Sequence, residues 1–186
     1  PSSLRYSDGI ELKEHQKEGL LRMQSLYKKS NVNGLLLCDD MGLGKTIQIL
    51  SFLAWLKEKE ALRPSLLIMP TSLITNWYDE KNIGEIQKFF LDDTFKVKIL
   101  DGKKSRDEIS ELRNYDLVLT SYESLRINHK ETGYIEWKVV VCDEAQKMKN
   151  PKTLLTTAVK TQNALFKIAC SATPIENTVV DLWCLT

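Results

Sequence analysis

Gly34-Leu35-Leu36-Leu37-Cys38-Asp39-Asp40-Met41-Gly42-Leu43-Gly44-Lys45-Thr46 runs from a short apolar segment through a glycine-bearing turn into the largely apolar stretch Thr46 to Lys59. That is a strand, a tight turn and the opening of a helix. Gly42 and Gly44 let the backbone wrap closely, so that its N–H groups and the helix N-terminus can cradle phosphates. In such a turn Lys45 reaches the β- and γ-phosphates, and the Thr46 hydroxyl ligates Mg²⁺. Asp40, Met41 and Leu43 belong to the same phosphate-wrapping turn. The spelling departs from the general P-loop, because Asp39 stands where the first glycine would be.

Outward from that turn, short apolar runs alternate with amphipathic stretches. Leu12, Gln16, Leu20, Met23 and Tyr27 recur at helical spacing, which predicts a helix over about 13–27. Leu66 to Met69 reads as a strand stopped by Pro70, and a helix is expected from Ser72, broken or ended at Gly84. Phe95 to Leu100 alternates like a strand. Leu117-Val118-Leu119 and Val139 to Cys142 are the continuous apolar runs of strands covered on both faces. Leu165 to Cys170 is the last strand candidate. Strands separated by helical stretches imply βαβ units, a parallel sheet and right-handed crossovers. The fold class is α/β, a mainly parallel sheet covered by helices on both faces, in one domain over 1–186.

Composition sets the outer bounds. The 186 residues carry 26 Lys plus Arg against 25 Asp plus Glu, a net charge of +1. With 42% hydrophobic and 27% charged residues, the chain can bury a proper core. This balance excludes a disordered tail, a collagen-like rod and a disulfide knot. No apolar run approaches the roughly 20 residues of a membrane helix, and Pro1 to Gln16 lacks the apolar stretch of a signal peptide. Balanced charge argues against a histone-like coating protein but leaves room for a local basic face. Cys38, Cys142 and Cys170 each close an apolar run, and Cys184 sits in a hydrophobic stretch. No Cys-x-x-Cys pair suggests zinc, so all four are expected to be free thiols, packed like small hydrophobes in a reducing interior.

Ligands of open α/β sheets bind beyond the carboxyl ends of the strands, so the residues after each apolar run matter most. Asp143-Glu144-Ala145-Gln146 follows Val139 to Cys142. Adjacent carboxylates at a buried strand end are costly unless they meet a cation or a polarised water. Asp143 suits the Mg²⁺ shell, and Glu144 suits an attacking water. Taken alone the pair fits an ordinary polar loop equally well; beside a P-loop it completes a phosphoryl-transfer site. Ser171-Ala172-Thr173-Pro174 follows the last strand and reads either as a γ-phosphate contact or as a helix cap.

These residues together identify a family. Asp39 to Thr46 closely resembles motif I of SWI/SNF-type ATPases, the chromatin-remodelling and DNA-translocating branch of helicase superfamily 2, with Asp40 replacing the usual Glu. Asp143 to Gln146 resembles motif II in a DEAQ spelling, and Ser171 to Asn177 resembles motif III. Leu12 to Gly19, with His15 and Gln16, is similar to the glutamine motif that reads adenine. Pro70 to Leu73 with Asn76-Trp77 resembles motif Ia, and Thr120-Ser121-Tyr122 resembles motif Ib.

The resemblance implies a RecA-like lobe that binds ATP and Mg²⁺ and works on double-stranded DNA. It implies Gln16 at the adenine, Gln146, Ser171 and Thr173 as coupling residues, and Thr71, Ser72, Asn76, Trp77, Thr120, Ser121 and Tyr122 along the DNA backbone. Core packing is the competing reading of Trp77. Lys103, Lys104 and Arg106 form a basic cluster that reads either as a phosphate contact or as solvated surface. In the family a second RecA-like lobe supplies arginines across the cleft, and the strand Leu165–Cys170 lies between the P-loop strand and the Asp-Glu strand. A DNA-bound protein is a further implied partner, as the target of remodelling. Two other functions share these motifs: a strand-separating DEAD/DEAH-type helicase, and a nucleotide-gated binding module without hydrolysis.

Overall fold

The strand-and-helix alternation is borne out in the computed structural model, which describes residues 4, 6–38, 44–59, 63–148 and 154–171. The strands are β1 (Gly34–Leu37), β2 (Ser65–Met69), β3 (Val97–Leu100), β4 (Leu117–Ser121), β5 (Trp137–Cys142) and β6 (Ala164–Cys170). The helices are α1 (Glu14–Tyr27), α2 (Lys45–Lys59), α3 (Thr71–Trp77), α4 (Glu85–Phe89), α5 (Arg106–Ser110), α6 (Tyr122–Thr132) and α7 (Leu154–Lys160). Short 3-10 turns cover Glu111–Asn114 and Ala145–Met148.

The six strands form one sheet in the order β1-β6-β5-β2-β4-β3, and every neighbouring pair is parallel. β6 therefore lies between the P-loop strand and the Asp-Glu strand, as the resemblance implies. β2, β4 and β5 are buried along their whole length, which is why their sequences run apolar without alternation.

Each face of the sheet carries its own core. Leu67, Met69, Leu117, Leu119, Val139, Val141 and Ile168 point toward α1–α4, where they meet Leu20, Met23, Leu50, Phe52, Ile74 and Trp77. Leu66, Ile68, Val118, Val140 and Ala169 point the other way, toward Ile109 of α5, Leu125 of α6 and Val159 of α7. This is the period-2 alternation of a strand distributed between two helical layers. α2 is the most deeply buried helix, with Ile47 to Ala54 and Leu56 enclosed. Each large side chain there contributes roughly 1.5–3 kcal/mol of burial.

One boundary differs from the sequence reading. The helix after Pro70 stops at Trp77, well before Gly84, and Gly84 instead precedes α4. A Cβ on Gly84 would stand 2.7 Å from Tyr78 Cα and 2.8 Å from the Trp77 carbonyl oxygen. Glycine is required there for close backbone approach, not to break a helix.

Candidate nucleotide-binding site

The functional motifs gather at the carboxyl ends of β1, β5 and β6. Asp39, Asp40, Met41, Gly42 and Leu43 lie outside the described residues, as do Ala172, Thr173 and the chain beyond them. Gly44 closes the turn with φ of +78°, in the left-handed region that favours glycine. Lys45 and Thr46 then open α2. Gln16 stands directly against this turn, since a Cβ on Gly44 would collide with its Nε2. Its Oε1 accepts the Lys13 backbone N–H at 2.9 Å, a capping bond that fixes the side chain at the start of α1. A cleft of about 820 Å³ runs along α1 and β1 beside the turn, with His15, Arg22, Cys38 and Gln48 among its walls.

Asp143 leaves β5 with its backbone N–H bonded to the Ile68 carbonyl at 2.8 Å. Its Oδ1 accepts the Glu144 N–H at 3.0 Å. Burial raises the Asp143 pKa above the ordinary carboxylate value, and the charge of Glu144 adds to that. Opposing them are the hydrogen bond from Glu144 N–H, the nearby Trp77 indole and the positive charge of Lys45. The influence of Lys45 brings the β1 and β5 ends into one electrostatic site. Glu144 has φ of +54°, unusual for a residue with a side chain. Its carboxylate accepts a short hydrogen bond from Gln146 Nε2, and Gln146 Oε1 accepts the Ser171 hydroxyl at 2.8 Å. Ser171 is itself tied to β1 through its N–H to the Leu37 carbonyl at 3.2 Å. A hydrogen-bonded chain thus joins the end of β6 to Glu144.

The donor set fits Mg²⁺. Thr46 and Asp143 offer hard oxygen, and Asp143 is a carboxylate whose burial a cation would relieve. Among the described residues no group of three or more His, Cys, Asp and Glu could hold a metal alone. A cation bound through nucleotide phosphates needs only one or two protein oxygens.

The family model of the SNF2-related domain matches residues 15–186. The chain belongs to the SNF2-related family. It is 40% identical over 209 residues to the Zorya protein ZorD of Escherichia coli O139:H28, covering 100% of this chain and 19% of that protein. It is 35% identical over 176 residues to the putative ATP-dependent helicase/translocase YwqA of Bacillus subtilis, covering 92% of this chain and 18% of that one. The Sulfolobus solfataricus SWI2/SNF2 ATPase core solved in complex with double-stranded DNA superposes with a TM-score of 0.78 at 37% identity. That match covers 95% of this chain and 35% of the Sulfolobus chain. The SNF2-related chain described here therefore spans about a fifth of these two curated relatives.

Against this SNF2-related frame, the residues assigned to DNA divide sharply. Thr71, Ser72 and Asn76 are exposed on α3. The side chains of Trp77, Thr120, Ser121 and Tyr122 are only 4%, 0%, 2% and 2% exposed, so they do not reach a DNA backbone. Thr120 donates to the Leu100 carbonyl at 2.8 Å, and Ser121 caps α6 by accepting the Ser124 N–H at 3.0 Å. Tyr122 donates to the Asp143 carbonyl at 2.7 Å. For Trp77 the spacing from Ile74 already carried the signal, because residues three apart share a helix face. Lys104 pairs with Glu108 at 3.4 Å, which partly neutralises the basic cluster after β3.

Two further points correct or extend the sequence reading. Cys38 is exposed rather than packed as a small hydrophobe, while burial pushes the Cys142 and Cys170 thiols far up. Cys184 lies outside the described residues. Gln48 of α2 is buried against Gly19, whose missing Cβ makes room for it. Nothing in the amphipathic pattern of α2 distinguishes that residue in advance.

Proposed function

We propose that this chain is the first, ATP-binding lobe of an ATP-dependent translocase on double-stranded DNA. The observation that carries the reading is the hydrogen-bonded run from Ser171 through Gln146 to Glu144, beside Asp143, at adjoining strand ends of an SNF2-related chain. Asp40 to Gly44 wrap the phosphates, Lys45 meets the β- and γ-phosphates, and Gln16 meets the adenine. Thr46 and Asp143 hold Mg²⁺, which supplies charge neutralisation at the transferred phosphoryl group. Glu144 orients and deprotonates the attacking water. Gln146, Ser171 and Thr173 pass changes at the γ-phosphate toward the cleft.

Thr71, Ser72 and Asn76 contact the DNA backbone without reading sequence. Arginines from a second RecA-like lobe complete the site, a contribution of roughly 10³–10⁵ in rate where measured. This piece alone is accordingly expected to hydrolyse ATP very slowly. The solved relative held with double-stranded DNA supports a duplex track. Remodelling of a DNA-bound protein follows from movement along that track.

The test is a pair of strand-displacement assays on the full-length protein with ATP and Mg²⁺. Translocation predicts release of the third strand from a triplex while a forked duplex stays paired, with the activity lost in Lys45→Ala. Efficient unwinding of the forked duplex would favour a strand-separating helicase instead. No ATP-dependent displacement of either substrate would leave the nucleotide-gated binding module as the better account.

A further inference from the structure

Two separate destabilising features meet at one buried amide. Gln48 stands in the first turn of α2, three residues after Lys45, and its backbone N–H bonds the Gly44 carbonyl at 3.3 Å. Its side chain is only 1% exposed, yet its Nε2 has no hydrogen-bond partner among the described residues. A buried donor without an acceptor weakens a fold, and an apolar side chain of the same length would avoid that loss. The second feature lies on the facing helix. Gly19 is inside α1, where glycine is among the least favourable residues. A Cβ there would collide with Gln48 Oε1, so this glycine is what admits the amide.

Both features have one explanation if the amide is held for a ligand. Gln48 lines the cleft of about 820 Å³ beside the phosphate turn, together with His15, Gly19 and Cys38. Sites for small molecules and cofactors span roughly 300–1,000 Å³. Gln16 and Gly19 are one helical turn apart on α1, with Gln16 against Gly44 and Gly19 against Gln48. Two amides, one from each helix, thus flank the same stretch of α1 next to the turn. Native folds tolerate an unpaired buried donor and a helix-interior glycine where function requires them.

We infer that Gln48 is a specificity-determining residue, whose amide N–H is kept for a ring-nitrogen acceptor of the adenine base. Adenine offers an acceptor at N1, where guanine and hypoxanthine carry an N1–H. A donor at that position accepts adenine and sets donor against donor with the other two bases. A site built to pair with one polar edge rejects the edge that leaves its own group unpaired. Gln16 and Gln48 then read the base jointly, from α1 and from α2. This inference rests on the proposed ATP-binding function.

The test uses the full-length protein with two variants. Gln48→Met keeps the side-chain length and removes the amide, and Gly19→Ala displaces the amide without changing it. Calorimetry with ATP, GTP and ITP in the presence of Mg²⁺ reads base preference. The thermal midpoint of the nucleotide-free protein reads stability. Gln48→Met is expected to weaken ATP binding by roughly three- to tenfold, the scale of one buried hydrogen bond. GTP and ITP should bind as before or more tightly, so both preference ratios narrow together. The thermal midpoint should hold or rise, because an unpaired buried donor has been removed. Gly19→Ala should narrow the same ratios without loss of stability, since alanine favours the helix and only a flexible side-chain end must move.

A lowered midpoint with intact base ratios would overturn the inference, because that pattern marks a packing role. Narrowing against GTP but not ITP would also overturn it, since shape exclusion of the guanine amino group explains that result. Equal wild-type affinity for the three nucleotides would sink base reading by Gln48 while leaving ATP binding intact. Wild-type protein that binds no ATP would instead overturn the nucleotide-binding function itself.

Discussion

Two neighbouring strands end in hydroxyl-bearing residues and use them in opposite ways. After β2, Thr71 and Ser72 stand in the first turn of α3 and face solvent. At the end of β4, Thr120 and Ser121 are sealed inside. The register shows why: Ile68 pairs with Thr120 and Met69 with Ser121, so Thr71 lies two residues beyond the level of Ser121. Thr120 is still in the ladder, between β2 and β3, and Ser121 is the N-cap of α6. At β2 the cap position falls on Pro70, which has no side-chain donor or acceptor, and the hydroxyls come one step later. A hydroxyl that serves as a cap or ladder partner is not available to a ligand. Similar motifs at equivalent strand ends are thereby separated into a contact surface and a structural joint.

Three variants test this contrast, from the largest expected effect to the smallest. Tyr122→Ala removes a fully buried ring and is expected to cost about 3–5 kcal/mol in chemical denaturation. A cost under about 1 kcal/mol would show that the region after β4 is not the joint described here. Ser121→Ala removes only the cap, and the expected loss is about 1 kcal/mol with duplex affinity of the full-length protein unchanged. Weaker DNA binding in that variant at full stability would return Ser121 to the DNA surface. The double change Thr71→Ala with Ser72→Ala should move stability by no more than about 0.5 kcal/mol. Duplex affinity should instead fall by roughly two- to tenfold, the scale of one or two neutral hydrogen bonds. Its salt dependence should keep the same slope, because neutral hydroxyls release no counterions.

The strands were legible because burial on both faces leaves an unbroken apolar run, as in Leu66 to Met69 and Val139 to Cys142. The phosphate turn was legible because Gly44, Lys45 and Thr46 must follow one another to do their chemistry. The inward placement of Tyr122 was not, since its partner Asp143 is distant in sequence and shares no periodic pattern with it. Motif resemblance pointed to the strand end that carries Tyr122, whose ring is buried. The end of α3 was also hidden. Gly84 looks like a helix breaker in sequence, and only the approach of the Trp77–Tyr78 backbone reveals what it is for. Cys38 escaped the rule for strand-ending cysteines because β1 is an edge strand whose residues remain partly open.

The position of β6 has a consequence for how the lobe is made. Among the described residues, β1 joins the sheet only through β6, with Gly34 paired to Lys167 and Leu37 to Cys170. On a ribosome, the strand that leads into the phosphate turn emerges before the other described strands, yet its sheet partner among them is the last of all. β2, β3, β4 and β5 can assemble beforehand, leaving β1 waiting beside an open edge of β5 until β6 slots between them. Closing so long a loop is entropically slow, and it is the step that brings the phosphate turn to the carboxylates. A nascent chain arrested before Ala164 therefore holds both halves of the motif machinery without the piece that joins them.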